Sequence, residues 1–221
     1  MTRRSFALMV TAAVTLMTAT IGAGGWAVVT IDELPARIDA GRPLALAFTV
    51  RQHGRTLLSG LKPSIEAKSG TLNVSAPATA AQTPGHYTAT IVVPQAGDWV
   101  VTIHSGFGES RLTLLPVTVV APGAPAPAFA RADMGRHLFV AKGCVTCHQN
   151  DVGSSNPSLR IGPLLAADKY QDVYLARILA NPGEMLPPRL EFAQMPDLKL
   201  QPAEISALVA FINSGNRTQT R

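Results

Sequence analysis

The chain has 221 residues, 47% of them hydrophobic and 15% charged, with 17 prolines, five histidines and two cysteines. That length gives room for one large domain or two small ones. Setting Arg3 and Arg4 aside as part of a removable N-terminal segment takes the formal net charge from +5 to +3, and no run of Lys or Arg argues for nucleic acid. A structural zinc site normally needs four ligands, usually from two closely spaced pairs, and the chain has no second Cys or Cys/His pair.

In chain order, Met1-Thr-Arg-Arg opens a basic start, followed by an apolar stretch over residues 5–23 and then Gly22-Ala23-Gly24-Gly25. This is the layout of an export signal over residues 1–25, with the cut falling between Ala23 and Gly25. Thr2-Arg3-Arg4-Ser5-Phe6 also loosely resembles a twin-arginine signal, although the general secretory route is the preferred reading. An uncleaved anchor is the alternative, since the apolar stretch is near the lower limit for crossing a bilayer. The expected location is the periplasm or the outer face of the cytoplasmic membrane, with membrane association through that segment if it stays.

Residues 26–120 read as β. The segment 26–31 looks like a first strand. Leu44, Leu46, Phe48 and Val50 then alternate with smaller or polar residues, as do Tyr87, Ala89, Ile91 and Val93, and Trp99, Val101 and Ile103. Leu112, Leu114, Val117 and Val119 close the series, with Pro116 placing that segment at an edge or bulge. Glycine-bearing turn signals fall at Gly41, Gly54, Gly70, Gly85 and Gly97. The rhythm predicts an antiparallel sandwich stabilised by apolar packing around Trp99 and Phe48. Pro84-Gly85-His86-Tyr87 and Gly97-Asp98-Trp99 loosely resemble the immunoglobulin-like modules of exported bacterial proteins, some linked to copper handling or oxidase assembly. His53, His86 and His104 raise the copper question, because imidazoles suit that metal. Nothing in their spacing requires convergence, so three surface histidines is the preferred reading and a metal site the alternative.

Residues 121–129, beginning Ala121-Pro122-Gly123-Ala124-Pro125, favour extended polyproline II. Such a spacer would hold two modules about 25 Å apart and let them swing. Residues 130–215 then turn helical, with a tail over 216–221. Helices are expected over 133–142, over 170–180 before Pro182, and from Pro202, with Glu204 in its first turn and Gly215 as its stop. The last helix carries an apolar stripe of Ile205, Leu208, Val209, Phe211 and Ile212. His137 is expected to face solvent.

Cys144-Val-Thr-Cys147-His148 uses both cysteines. Two thiols spaced by two residues and followed by histidine form the attachment pattern of a c-type haem. The sulfurs must reach two vinyl groups on one porphyrin edge while the imidazole turns onto the iron. The other readings fit worse. A thioredoxin-type pair sits in a βαβ context, and a disulfide across two residues is strained.

From Phe129 onward the sequence resembles class I cytochromes c, the small monohaem electron carriers. The resemblance implies an all-α fold in which Gly135 lets the first helix approach the last, with Phe139 packed beside the crossing. It implies one haem c, held by Cys144 and Cys147, with His148 on the iron. It also implies that the Pro163 carbonyl in Ile161-Gly162-Pro163-Leu164 accepts a hydrogen bond from that histidine. The sixth ligand would be Met195 in Gln194-Met195-Pro196-Asp197. Met185, also near prolines, is the competitor, and the insertion over 186–193 is longer than in the shortest members. Tyr174 and Arg177, one helical turn apart, are candidates for the haem propionates.

The expected function is an exported carrier of single electrons between envelope redox partners, a dehydrogenase or a terminal oxidase, and not itself an enzyme. Alternatives are a sensor or ligand-binding haem protein whose sixth site opens, and a copper-delivery or oxidase assembly factor using the β part.

Overall fold

The computed structural model describes residues 25–150, 161–165, 170–185 and 193–214. The signal reading of 1–24, the Gly215 stop, the tail and the 186–192 part of the insertion lie outside the described residues. The β part runs through β1 (Ala27–Ile31), β2 (Ile38–Asp39), β3 (Pro43–Gln52), β4 (Thr56–Leu57), β5 (Ser64–Ser69), β6 (Leu72–Ala80), β7 (His86–Val92), β8 (Gly97–His104), β9 (Arg111–Thr113) and β10 (Val117–Val120). The helices are α1 (Arg131–Ala141), α2 (Asp172–Ala180), α3 (Pro182–Met185) and α4 (Pro202–Ile212).

The strands join in the order β1-β3-β7-β6-β5-β8-β10-β2, with β4 on β3 and β9 on β8. Pairing is antiparallel except between β10 and β2. Within β6 the partner changes at Pro77. Residues 72–77 face β5 and residues 78–80 face β7. Phe48, Tyr87, Ile65 and Trp99 are all fully buried in one cluster. The Trp99 Nε1 donates to the Gln95 carbonyl at 3.1 Å, and the Tyr87 hydroxyl donates to the Leu58 carbonyl at 2.7 Å, so each buried ring has its polar end satisfied.

Two expectations for the β part need correction. The strands β5 and β6 were not anticipated: Leu72, Val74, Ala76, Ala78 and Ala80 of β6 do alternate with polar residues and Pro77, but mostly alanine on the apolar side and no buried residue make that signal weak. The segment from Leu112 to Val119 is two strands, not one. Pro116 lacks a ladder donor, and β9 and β10 on either side of it pair with opposite ends of β8.

In the helical part, α1 crosses α4 at Gly135, where an added Cβ would overlap the Ala207 carbonyl oxygen and lie 2.7 Å from Phe211 Cβ. Phe139, 1% exposed, packs beside that crossing with its ring centroid 5.4 Å from that of Phe211. Asn213, at the end of α4, accepts from the Tyr170 N–H and donates to the Tyr170 carbonyl, tying the entry of α2 to α4. The Glu204 carboxylate accepts the Gln201 N–H at 2.9 Å and so caps α4. His137 is half-buried against Phe129, not solvent-facing, and its burial holds the imidazole below its ordinary range.

The helical part packs directly on the sheet, which differs from two modules held apart by a spacer. All five residues of β1 are buried. Ala27, Val29 and Ile31 belong to the main cluster, while Val28 and Thr30 lie where Gly143 meets the strand. An added Cβ on Gly143 would sit 2.5 Å from the Val29 carbonyl oxygen and 2.8 Å from Val28 Cγ1. Lys142, 4% exposed, reaches across with its Nζ 2.8 Å from the Asp32 carbonyl and 2.9 Å from Glu204 Oε1. The Pro/Ala segment starts as a turn whose Ala121 and Ala124 carbonyls accept from Arg37. Burying an apolar strand face is worth about 1.5–3 kcal/mol per aliphatic side chain, which favours docking over swinging.

A Lys142→Met variant should leave the Glu204 carboxylate without its cation and lower stability by about 3 kcal/mol. Adding Glu204→Gln should return part of that loss. Urea unfolding midpoints of the three proteins check it.

Candidate functional site

Helix α1 ends on Gly143, whose φ of 72° is left-handed backbone that glycine adopts without strain. Its N–H donates to the Val140 carbonyl at 2.8 Å, closing the helix. The chain then makes a single 3₁₀ turn over Cys144–Thr146. The N–H groups of Cys147 and His148 both donate to the Cys144 carbonyl, at 3.1 Å and 2.9 Å. Both thiols and the imidazole are thus carried by one tight turn set on the end of a buried helix.

His148 Nδ1 lies 3.0 Å from the Pro163 carbonyl oxygen. A carbonyl only accepts, so Nδ1 carries the proton and Nε2 keeps its lone pair. Burial lowers the pKa of the ring, with the Pro163 bond opposing, so the imidazole is neutral near pH 7. Two backbone bonds hold the Pro163 segment in place, Gly162 N–H to the Cys147 carbonyl at 2.9 Å and Leu165 N–H to the Gln149 carbonyl at 3.0 Å. The imidazole rests against Gly162. A Cβ there would stand 2.5 Å from Nδ1 and 2.9 Å from Nε2.

The two cysteines are unpaired and half-buried by surface area. Burial pushes the Cys144 thiol up to about 12, with the neighbouring Cys147 adding to the shift, and pushes the Cys147 thiol up to about 11. Both are protonated at neutral pH, the opposite of the activated thiolate a redox pair requires. Asn150, two residues after His148, is buried with neither Nδ2 nor Oδ1 paired. Buried amides are normally satisfied by protein, water or a bound group.

The other expected residues are placed less closely together. Met195 is half-buried and packs on the apolar core, which runs continuously from the β part into the helices. Met185 closes α3 and, among the described residues, is not part of that cluster. Tyr174 and Arg177 are both exposed on α2, and neither side chain bonds to another described residue. The three histidines of the β part do not converge. His53 is tilted against Trp26, His86 lies beside Thr49 and Asp32, and His104 lies 3.9 Å from Glu66. Among the described residues no group of three or more His, Cys, Asp or Glu is placed to hold a metal ion.

Sequence reasoning missed Lys142, Gly143 and Asn150. A glycine at the end of a helical stretch was a readable stop signal. A lysine in that position reads as solvated, and nothing in the sequence marks it as buried.

Residues 132–216 match the family model described as cytochrome c. This part of the chain is a cytochrome c domain. The cytochrome c domain brings haem binding and electron transfer with it, and implies a covalently bound c-type haem. A comparison with curated proteins returns no match. Among solved structures, the chain is similar to a superoxide reductase (neelaredoxin) from Ignicoccus hospitalis at 12% identity, over 42% of this chain and 79% of that one, with a TM-score of 0.29. It is also similar to the PKD domain of the human VPS10 domain-containing receptor SorCS2 at 17% identity, over 44% of this chain and 74% of that one, with a TM-score of 0.25. Neither likeness is close enough to bear on function.

The residues present fit the haem. The glycine cradle holds a neutral imidazole with one nitrogen free, and Asn150 offers unpaired polar atoms close by in sequence. Cys144 and Cys147 would hold the group through thioethers, and His148 through its free nitrogen.

Gly162→Ala should dislodge the imidazole from its bond to Pro163 and destabilise the domain by about 1–3 kcal/mol. An NMR spectrum of the His148 Nδ1 proton, sharp in the wild type and lost or shifted in the variant, checks the first outcome. Thermal unfolding checks the second.

Proposed function

We propose that the chain is an exported, non-enzymatic carrier of single electrons with one c-type haem, ligated by His148 and Met195. It passes electrons between envelope redox partners, a dehydrogenase and a terminal oxidase being the fitting classes. The observation that carries this reading is the His148–Pro163 bond of 3.0 Å beside the cysteine pair. It fixes the tautomer and orients the ring, and it makes the imidazole a better donor. When bound, the haem supplies a reversible ferrous–ferric couple whose potential a thioether ligand raises.

Several observations support the finer points. Met195 packs on the apolar core and lies beside Pro196 shortly before α4. A basic start followed by an apolar stretch fits export to the periplasm or the outer membrane face, and the β part fits an immunoglobulin-like module of an exported protein. Tyr174 and Arg177 stand exposed one turn apart, free to meet a propionate. With His148 and Met195 both donating to it, the haem would serve electron transfer and not substrate turnover.

Met195→Ala should lower the reduction potential and abolish the sulfur-to-iron charge-transfer band of the ferric protein. An unchanged band would move the ligand elsewhere, Met185 first. Cys144→Ser with Cys147→Ser should leave no haem on the polypeptide after acid–acetone extraction, whereas the wild type keeps it.

A further inference from the structure

The turn between β3 and β4 touches the segment that carries Met195. The Gln194 N–H donates to the His53 carbonyl at 3.1 Å. Gly54 is buried although it sits at a turn tip, because the Gln194 backbone covers it. An added Cβ on Gly54 would overlap the Gln194 carbonyl oxygen and lie 3.5 Å from Pro196 Cδ. Both backbone polar groups of Gln194 are therefore held, the N–H by a hydrogen bond and the carbonyl by close packing that only glycine allows.

The turn itself is stiff. His53 adopts a left-handed φ of 54° and Gly54 one of 73°. The His53 N–H donates to the Trp26 carbonyl at 3.2 Å, and its ring lies 5.2 Å from that of Trp26. The Arg55 N–H closes the turn on the Gln52 carbonyl at 2.9 Å. Ala193, just before the held peptide, is 6% exposed. On the other side, Pro196 restricts the backbone, and the Lys199 N–H and Nζ both donate to the Asp197 carboxylate.

We propose that His53 and Gly54 form a clamp supplied by the β part, which positions the Met195 thioether by fixing the backbone at Gln194. The proposal rests on the reading of Met195 as the sixth ligand. A thioether is a weak ligand, and how often it leaves iron depends on how freely its loop opens. Most of a loop's closing cost is conformational entropy. A peptide already held by a separate folded element has little freedom left to lose, so the bond reopens rarely. The β part thereby acts on the haem without touching it, as a set of positioning residues.

The test uses the full-length holoprotein with cyanide as a probe of the ferric iron. Gly54→Ala should accelerate cyanide binding by about tenfold, the change expected when closure weakens by about 1.4 kcal/mol. It should also weaken the sulfur-to-iron band and speed hydrogen exchange at the Gln194 amide, with the haem still covalently attached. His53→Gly keeps the backbone acceptor and suits the left-handed φ, so it should fold and change the same readouts in the same direction by less. Wild-type cyanide rates and wild-type Gln194 exchange in the folded variants would overturn the clamp. Met195→Ala separates the two ideas. If it leaves the band intact, the ligand reading fails. If it removes the band while Gly54→Ala and His53→Gly behave as wild type, only the clamp fails.

Discussion

Lys142 carries a charge into a place that is 4% exposed, and three parts of the molecule meet on it. Its ammonium group is bonded to the Asp32 carbonyl after β1 and paired with Glu204, which also caps α4. A buried ammonium is tolerated only with such partners. The residue itself ends α1, and the next residue, Gly143, turns the chain into Cys144. The position of the turn bearing Cys144, Cys147 and His148 is therefore set by helix, sheet and ion pair together. Moving any one of them would strand the lysine charge or open the contact between Gly143 and Val29.

Close backbone approach recurs through the structure as the way its parts are fitted. At Gly135 helix meets helix, and at Gly143 the helix end meets a strand. At Gly162 the Pro163 segment meets the His148 imidazole, and at Gly54 a turn meets the Met195 segment. In each case the missing Cβ is occupied by an atom from a different element. Dense packing transmits small displacements, so these four glycines act as spacers of fixed, minimal thickness between the sheet, the helices and the site.

Much of this was readable in the sequence where the signal is local. Alternation in β3, β7 and β8, the Gly/Pro turns and the attachment motif depend on residues near one another or on a recognisable spacing, whereas the contact of Gly135 with the last helix was expected from the family resemblance. What could not be read depends on the surroundings of a residue rather than on its neighbours. Thr30 and Lys142 look solvent-facing by type, yet each is buried because the helical part lies on β1. β6 alternates only weakly, with mostly alanine on its apolar side and no buried residue, and its place in the sheet comes from backbone pairing on both sides. The proline segment gave the misleading signal. Its composition correctly indicates local stiffness, but local stiffness says nothing about whether the elements at its two ends attract each other.

Docking also resolves a hazard of the β part. As the end strand of the sheet order, β1 has, among the described residues, one edge without a strand partner, and four of its five residues are apolar. Such an edge invites pairing with another chain unless something covers it. Here the end of α1 and the attachment turn provide the cover, and the Ala27 N–H donates to Ser110 Oγ at 2.9 Å. The same surface that protects the strand fixes the turn bearing Cys144, Cys147 and His148. A haem-bearing part that swung free would expose β1 and lose the anchor of its own attachment turn, so protection of the sheet and placement of the site depend on one contact.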